Sequence, residues 1–251
     1  MEAAANFFDS NVRRDWNLKS LLSFSHLTPH VQQHLQRVYT TLCVSLAVAA
    51  FGVYAHVLMN LGGLLTSLGF IGCVMWLLST PSYETEKRYR ILMGASFLQG
   101  LSLGPLVQLS SNVFDGDFGV VITALLGTVA IFASFSGAAL FARRREYLFL
   151  GGILSSAVSA MLMLRFGSYL FGGASAMFNL ELYGGLLVFV GYVLFDTQLI
   201  IERASKNDDD YIQHTLDLFI DFVGIFVRIL VILTKKEVES SRKEDKRKRR
   251  E

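Results

Sequence analysis

The chain has 251 residues, of which 52% are hydrophobic and 18% are charged, and its formal net charge is only +2 at pH 7. With a mean hydropathy of +0.44, the composition leaves little sequence for a soluble domain, and we expect no nucleic-acid partner.

Seven apolar stretches are long enough to cross a membrane, since a spanning helix needs about 20 predominantly apolar residues. Continuous apolar runs, instead of short alternating strands, favour helices over a β-barrel. We therefore predict an all-α membrane protein whose seven transmembrane helices occupy 35–234, after a cytosolic segment (1–34) and before a basic flexible tail (235–251), disordered or helical. The predicted spans are 35–59, 62–79, 91–111, 118–141, 147–171, 180–201 and 212–234.

The amino-terminal segment shows no cleavable signal peptide, because it is polar and has no early apolar core, so the first span is predicted to act as the membrane anchor. Cys43 and Cys73 fall inside predicted spans, where they are expected to pack as small apolar residues. Their positions give no disulfide framework and no metal-ligand spacing. We predict no metal site and no cofactor.

Positive charge alternates between successive loops. Lys87, Arg88 and Arg90 follow the second span, and three arginines at 143–145 follow the fourth. The positive-inside rule places these loops and the amino terminus in the cytosol. A seventh full crossing would then carry the basic tail to the far side, against the same rule. Either the tail is translocated or the last segment does not fully cross.

Asp196 and Asp221 each lie inside an apolar stretch long enough to span a membrane. An ionised carboxylate in hydrocarbon costs several kcal/mol, so an intramembrane acid is a functional-site hypothesis by default. The alternative is a structural one, in which a salt bridge or backbone contact docks one helix on another.

The last predicted helix carries a polar stripe. At 100° per residue, five positions fall within one sector of roughly 80°, and most of the remaining surface is Leu, Ile, Phe and Val. We predict a central, buried helix, the alternative being an amphipathic helix lying in the membrane interface. The stripe consists of His214, Asp217, Asp221, Gly224 and Arg228.

Helix depth predicts that Asp196 and Asp221 can meet. A rise of 1.5 Å per residue puts them roughly 8 and 14 Å from the cytosolic helix ends, and the short connection makes the two helices antiparallel neighbours. Repulsion and desolvation would make such a pair titrate in coupled steps and share a proton. Fully deprotonated, it repels, attracts cations or recruits a base such as Arg203 or Arg228. These are the properties of a pH-sensitive gate.

Several motifs resemble the Bax inhibitor-1 (TMBIM, or lifeguard) family. GYVLFDTQLIIE (191–202) and DYIQHTLDLFIDF (210–222) look like the family signature. FARRREYLFLGGILSSA (141–157) and STPSYETEKRYR (79–90) resemble its eukaryotic branch, and SLLSFSHLTPHVQQHLQRVYTTL (20–42) is similar to plant members. The resemblance covers nearly the whole chain.

This resemblance implies a seven-helix bundle in the endoplasmic-reticulum membrane that suppresses stress-induced programmed cell death. It also implies a pH-dependent calcium leak whose sensor is the buried pair Asp196 and Asp221, with membrane lipid, calcium ions and other membrane proteins as partners. Bacterial relatives latch the first aspartate to an arginine that follows the second helix. The candidate for that latch here is Arg88.

The basic tail resembles the part of plant relatives that binds calmodulin. A basic run beside the apolar end of the last helix also suits a calmodulin target or anionic lipid, and both interpretations require a cytosolic tail. The tail residues predicted to bind are Lys235, Lys236, Arg242, Lys243, Lys246, Arg247, Lys248, Arg249 and Arg250.

Two other functions compete with the leak. An intramembrane aspartyl protease also needs two membrane aspartates to activate water, but presenilin-like proteases carry GxGD at the second one, and here Phe219 and Ile220 precede Asp221. The other competitor is a membrane scaffold that acts through its tail. We predict that the protein is not an enzyme.

Overall fold

The computed structural model describes residues 28–114, 116, 118–142, 146–171 and 174–248, and the described part contains helices and no strands. The predicted all-α membrane fold is confirmed. The seven helices are α1 (Pro29–Met59), α2 (Leu64–Ser79), α3 (Thr85–Val113), α4 (Gly119–Phe141), α5 (Leu150–Phe171), α6 (Ala174–Ala204) and α7 (Tyr211–Lys248).

Five helices are long and apolar enough to cross a membrane: α1, α3, α4, Leu150–Ser168 of α5 and Met177–Ala204 of α6. Helix α2 is a shorter apolar helix of 16 residues, and α7 carries three charged side chains within its apolar half. All seven helices overlap the predicted spans, but α1, α3 and α6 each begin six residues earlier, and α7 continues 14 residues beyond the predicted end at 234. The first turns of α1 and α3 are polar, so hydropathy alone does not detect them.

Helix α1 has local signals at both ends. Pro29 stands in its first turn after an extended Thr28, a position where the missing N–H of proline costs nothing. The helix ends at Asn60, whose φ of 53° and ψ of 41° are left-handed and whose N–H donates to the carbonyl of His56 at 2.6 Å. Asparagine tolerates this conformation better than most residues do.

Helices α1 and α3 pack closely because glycines line their contact. A Cβ atom at Gly100 would collide with the carbonyl oxygen of Ala49, and one at Gly104 would collide with the ring of His56. Glycine at these positions lets the two backbones approach each other directly. This is the close helix packing expected of a GxxxG sequence.

Helix α7 is central, as the polar stripe predicts. It packs mainly against α1, α3, α4 and α6, and Leu218, Phe219, Ile225 and Leu230 on it are fully enclosed. Helix α5, by contrast, packs mainly on α6 and leaves most of its large apolar side chains exposed. The core therefore forms around α7, and the periphery offers an apolar surface suited to lipid.

The bundle has two ends, which we call the Pro29 end and the Met59 end. At the Pro29 end, where α1, α3 and α7 begin, His34 Nε2 lies 2.9 Å from His214 Nδ1. At the Met59 end, Thr234 Oγ1 donates to Ser110 Oγ at 3.0 Å. Helix α7 thus runs the whole length of the bundle.

Candidate functional site

Asp196 on α6 and Asp221 on α7 lie side by side inside the bundle, with their carboxyl groups close enough to interact. Asp221 is 4% exposed, and within the part of the chain that the structure describes its Oδ2 atom has no hydrogen-bond partner. The contact expected from the helix depths is therefore present. The role of the pair as a sensor stays a prediction.

Contact between two carboxyl groups restricts their protonation. An ionised carboxylate only accepts hydrogen bonds, so a bond between the two requires that one of them carry a proton. If both were ionised, two like charges would face each other away from water. Their repulsion and their loss of hydration are both unfavourable. The arrangement has two natural states: bridged by a shared proton, or repelling and open to a cation.

Asp217 and Arg203 are the predicted gate partners that lie near this pair. Asp217 stands one turn before Asp221 on α7 and is within electrostatic range of both aspartates of the pair. Arg203, near the end of α6, is within range of Asp196 and of Asp217. The acids therefore outnumber the nearby bases, which gives the site a negative potential.

Arg88 does not contact the aspartate pair. Its guanidinium is 3% exposed and forms an ion pair with Asp210, with Nη1 at 2.5 Å from Oδ2. This pair lies at the Pro29 end, where the start of α3 meets the residue before α7. Arg88 therefore does not form an arginine latch with Asp196 in this structure, because its guanidinium is paired with Asp210.

Arg228 is also separate from the pair. It lies about 10 Å further along α7 than Asp221 at the usual helical rise, where its Nη1 donates to Gly224 O at 3.0 Å. Its guanidinium carbon sits 4.3 Å from the centre of the Phe189 ring, and its acidic neighbour is Glu181. Gly185 makes room for it, since a Cβ atom there would collide with the guanidinium.

A chain of hydroxyl groups adjoins the site, and no pattern in the sequence predicts it. Tyr39 of α1 is hydrogen-bonded to Ser136 of α4, and Ser136 Oγ lies 3.2 Å from Thr197 Oγ1 of α6, the residue after Asp196. Such hydroxyls are ordinary residues in each span. Only packing places three of them in a row.

A histidine cluster at the Pro29 end was missed as well. Besides the contact of His34 with His214, His30 Nε2 lies 3.2 Å from Asp209 Oδ1, and His34 Nδ1 lies 3.8 Å from the same oxygen. The available signals were the four-residue spacing of His30 and His34 on one helix face and the place of His214 in the polar stripe. The cluster ties the start of α1 to the start of α7.

Carboxylate oxygens are the ligands that calcium prefers, but calcium takes six to eight of them. Among the described residues, no three His, Cys, Asp or Glu side chains are arranged to hold a metal ion. Asp196 and Asp221 offer too few oxygens for tight calcium binding. They suit weak, transient contact with a passing cation.

The tail begins at the Met59 end. Lys235 donates a hydrogen bond to Asn179 of α6 and lies 5.9 Å from the centre of the Phe178 ring. The helix continues through Lys248, so the described tail is helical. Lys236 is described, whereas the side chains of Arg242, Lys243, Lys246, Arg247 and Lys248, and all of Arg249 and Arg250, lie outside the described residues.

Comparison with known proteins supports the motifs quoted above. The sequence profile of the family described as "Inhibitor of apoptosis-promoting Bax1" matches residues 31–238, most of the chain. The chain belongs to this Bax inhibitor family. Its aspartate pair, polar stripe and all seven helices, apart from the ends of the first and last, lie inside the matched region.

Similar proteins occur in plants and in animals. "Bax inhibitor 1" of Arabidopsis thaliana is 51% identical over 240 residues, which are 95% of this chain and 96% of that protein. The Oryza sativa subsp. japonica protein of the same name is 49% identical over 235 residues (94% and 93%). The Homo sapiens one is 44% identical over 241 residues (94% and 98%). The family match and the apolar helices together show that this chain is a multi-pass membrane protein.

Proposed function

We propose that this protein suppresses stress-induced programmed cell death from the endoplasmic-reticulum membrane, acting as a pH-sensitive calcium leak gated by Asp196 and Asp221. The names of its plant and animal relatives support the protective role. The observation that carries the leak is the contact between the buried carboxyl group of Asp221 and the partly buried one of Asp196, with no arginine or lysine ion-paired to either among the described residues.

The gate is the seam between α6 and α7. A proton shared by the two carboxyl groups holds the helices together, because the hydrogen bond is made in surroundings of low dielectric constant. Loss of that proton leaves two charges in contact, which repel and can be relieved by a cation or by movement of the helices. pH thus selects between two arrangements of one seam.

Arg203 and Asp217 adjust this gate. Both lie on the Pro29 side of the pair, so a cation reaching the aspartates from that end meets one further acid and one base. Arg203 is the nearby base that can compensate a fully ionised pair. Arg228 stands on the other side, where it lines the two cavities along α7, of about 230 and 220 Å³.

The test is calcium flux from liposomes that contain the purified protein, measured from pH 5 to pH 8. Wild type should show a leak that changes with pH, and Asp196→Asn or Asp221→Asn should flatten the dependence because neither variant retains a pair of titrating carboxyls. Glu86→Gln removes an exposed acid outside the pair and is the matched control. A transition with the same midpoint and slope in both Asn variants as in wild type would exclude the sensor.

An intramembrane aspartyl protease is the second candidate, because the same contact could activate water between two carboxyl groups. Incubating the reconstituted protein with membrane-embedded peptide substrates distinguishes the two. Cleavage that both Asn variants abolish would favour the protease. We expect no cleavage in wild type.

Calmodulin binding by the tail is a separate part of the proposal, supported by the basic helix that continues to Lys248. Lys235 and the first turn of α3, which carries Lys87 and Arg88, lie at opposite ends of the bundle, so only one of these ends faces the cytosol. A glycosylation tag after Glu251 reports the side of the tail. Modification of the tag in cells would place the tail in the lumen and exclude calmodulin as its partner, whereas an unmodified tag and calcium-dependent binding of a tail peptide would support it.

A further inference from the structure

A polar groove opens at the Pro29 end between the starts of α1 and α3. It has a volume of about 660 Å³. Every side chain that lines it carries a polar group, although the helices that form it are otherwise apolar. Its lining includes Gln33, Gln36, Arg37, Thr41, Thr85 and Tyr211.

The groove lies at the depth of the lipid headgroups. From Val38 to Met59, α1 carries no Asp, Glu, Lys or Arg over about 22 residues, a length of about 33 Å that matches the hydrocarbon core of a bilayer. Arg37 therefore stands just outside the hydrocarbon. On α3 the apolar segment begins after Arg90, so Thr85 faces the same headgroup layer.

Arg37 is a cation without an ion-pair partner among the described residues, whereas three other basic residues at this end are paired. At the same end, Lys87 pairs with Glu84 at 2.9 Å, Arg88 pairs with Asp210, and Lys206 pairs with Glu202 at 3.1 Å. The nearby acids are already engaged: Asp210 by Arg88, and Asp209 by the two histidines of α1. Glu86 lines an adjoining cavity together with Arg90.

Hydrogen-bonding residues share the groove with Arg37. Its lining includes Thr41, Thr85 and Tyr211, which carry hydroxyls, and Gln33 and Gln36, which carry side-chain amides. Thr40 is different, since its hydroxyl donates to the carbonyl of Gln36 at 2.7 Å. A guanidinium in a groove lined by neutral hydrogen-bonding side chains suits a phosphate group, which arginine contacts through two parallel N–H bonds.

We propose that this groove binds a phosphate-bearing ligand, with Arg37 on the phosphate and the hydroxyl and amide groups around it. The phosphate can belong to the headgroup of an anionic phospholipid or to a soluble phosphate ester. Basic pockets between transmembrane helices at the headgroup layer bind such lipids. The site is distinct from the aspartate pair and does not depend on the calcium leak.

The test is native mass spectrometry of the purified full-length protein in detergent, titrated separately with a phosphatidylinositol monophosphate, phosphatidylcholine and soluble inositol trisphosphate. Wild type should bind at least one of the two inositol phosphates in preference to phosphatidylcholine, and which one it binds identifies the source of the phosphate. Arg37→Gln should weaken that binding about tenfold, the loss expected for one charge-assisted contact. Arg37→Lys should restore part of the affinity, because lysine keeps the positive charge but cannot make the two parallel N–H bonds of arginine.

Lys87→Gln is the matched control, because it removes one positive charge at the same end outside the groove. Its affinity should stay within about twofold of wild type, because Lys87 does not line the groove and is already paired with Glu84. If Arg37→Gln is not folded by thermal unfolding, Thr41→Val with Thr85→Val tests the same groove. Equal losses in the groove variants and in Lys87→Gln, or no preference of wild type over phosphatidylcholine, would overturn the proposal.

Discussion

Two carboxylates near the start of α7 have opposite surroundings. Asp210, just before the helix, forms an ion pair with the buried guanidinium of Arg88. Asp221, three turns further on, is in contact with another acid, Asp196, and one of its oxygens has no partner among the described residues. The first arrangement neutralises a charge; the second brings two like groups together away from water.

The difference separates a contact between opposite charges from a contact between two acids. A compensated ion pair joins α3 to α7 and is satisfied in one protonation state. A pair of acids is satisfied only when the two share a proton or a cation, so its energy depends on the pH and on the cation concentration. Groups that are held in locally unfavourable surroundings are found more often at functional sites than elsewhere in a protein.

The largest expected effect is on the compensated pair. Arg88→Leu leaves Asp210 without its cation and should lower the free energy of unfolding by about 3 kcal/mol, at the low end for a broken buried ion pair because Asp210 partly reaches water. Thermal or denaturant unfolding in detergent measures the loss.

Asp210→Asn and the double variant complete a thermodynamic cycle for this contact. The double variant should lose less than the sum of the two single ones, because neither charge is then left alone. Strict additivity would show that Arg88 stabilises the protein through packing and not through Asp210.

Arg228 tests whether the acid pair has a hidden compensating cation. Because Arg228 contacts Phe189 and Gly224 and not the aspartates, Arg228→Met should cost only about 1 kcal/mol of unfolding free energy, the scale of a cation–π contact. A loss as large as that of Arg88→Leu would mean that Arg228 neutralises Asp221 and that the two regions are alike.

The smallest effect, and the one of opposite sign, is expected at the acid pair itself. Asp221→Asn keeps a hydrogen-bonding side chain and removes one charge, so it should cost less than about 1 kcal/mol at pH 5 and should stabilise the protein at pH 8. Wild type should lose more stability between these values than the variant does, because the variant has one titrating carboxyl group fewer at the contact. Parallel pH profiles of the two proteins would contradict a shared proton.

Much of the fold follows from the sequence because its determinants are local. Apolar length predicts each helix, and the polar stripe predicts a central α7, since neither depends on knowing the neighbours. The contact of Asp196 with Asp221 could also be predicted from the sequence, because a short connection and the helical rise fix the relative depth of two consecutive helices. The polar first turns of α1 and α3 were missed, since hydropathy reports only the lipid-facing length.

Tertiary structure alone decided which partners distant residues have. Arg88 meets Asp210 and not Asp196, His34 meets His214, and Arg37 is left unpaired among the described residues beside a polar groove. Each outcome depends on the rotation and tilt of helices far apart in the chain, to which many weak packing contacts contribute together. The sequence determined which helices form and which of them carry charge, whereas the packing of those helices determined which charges are compensated.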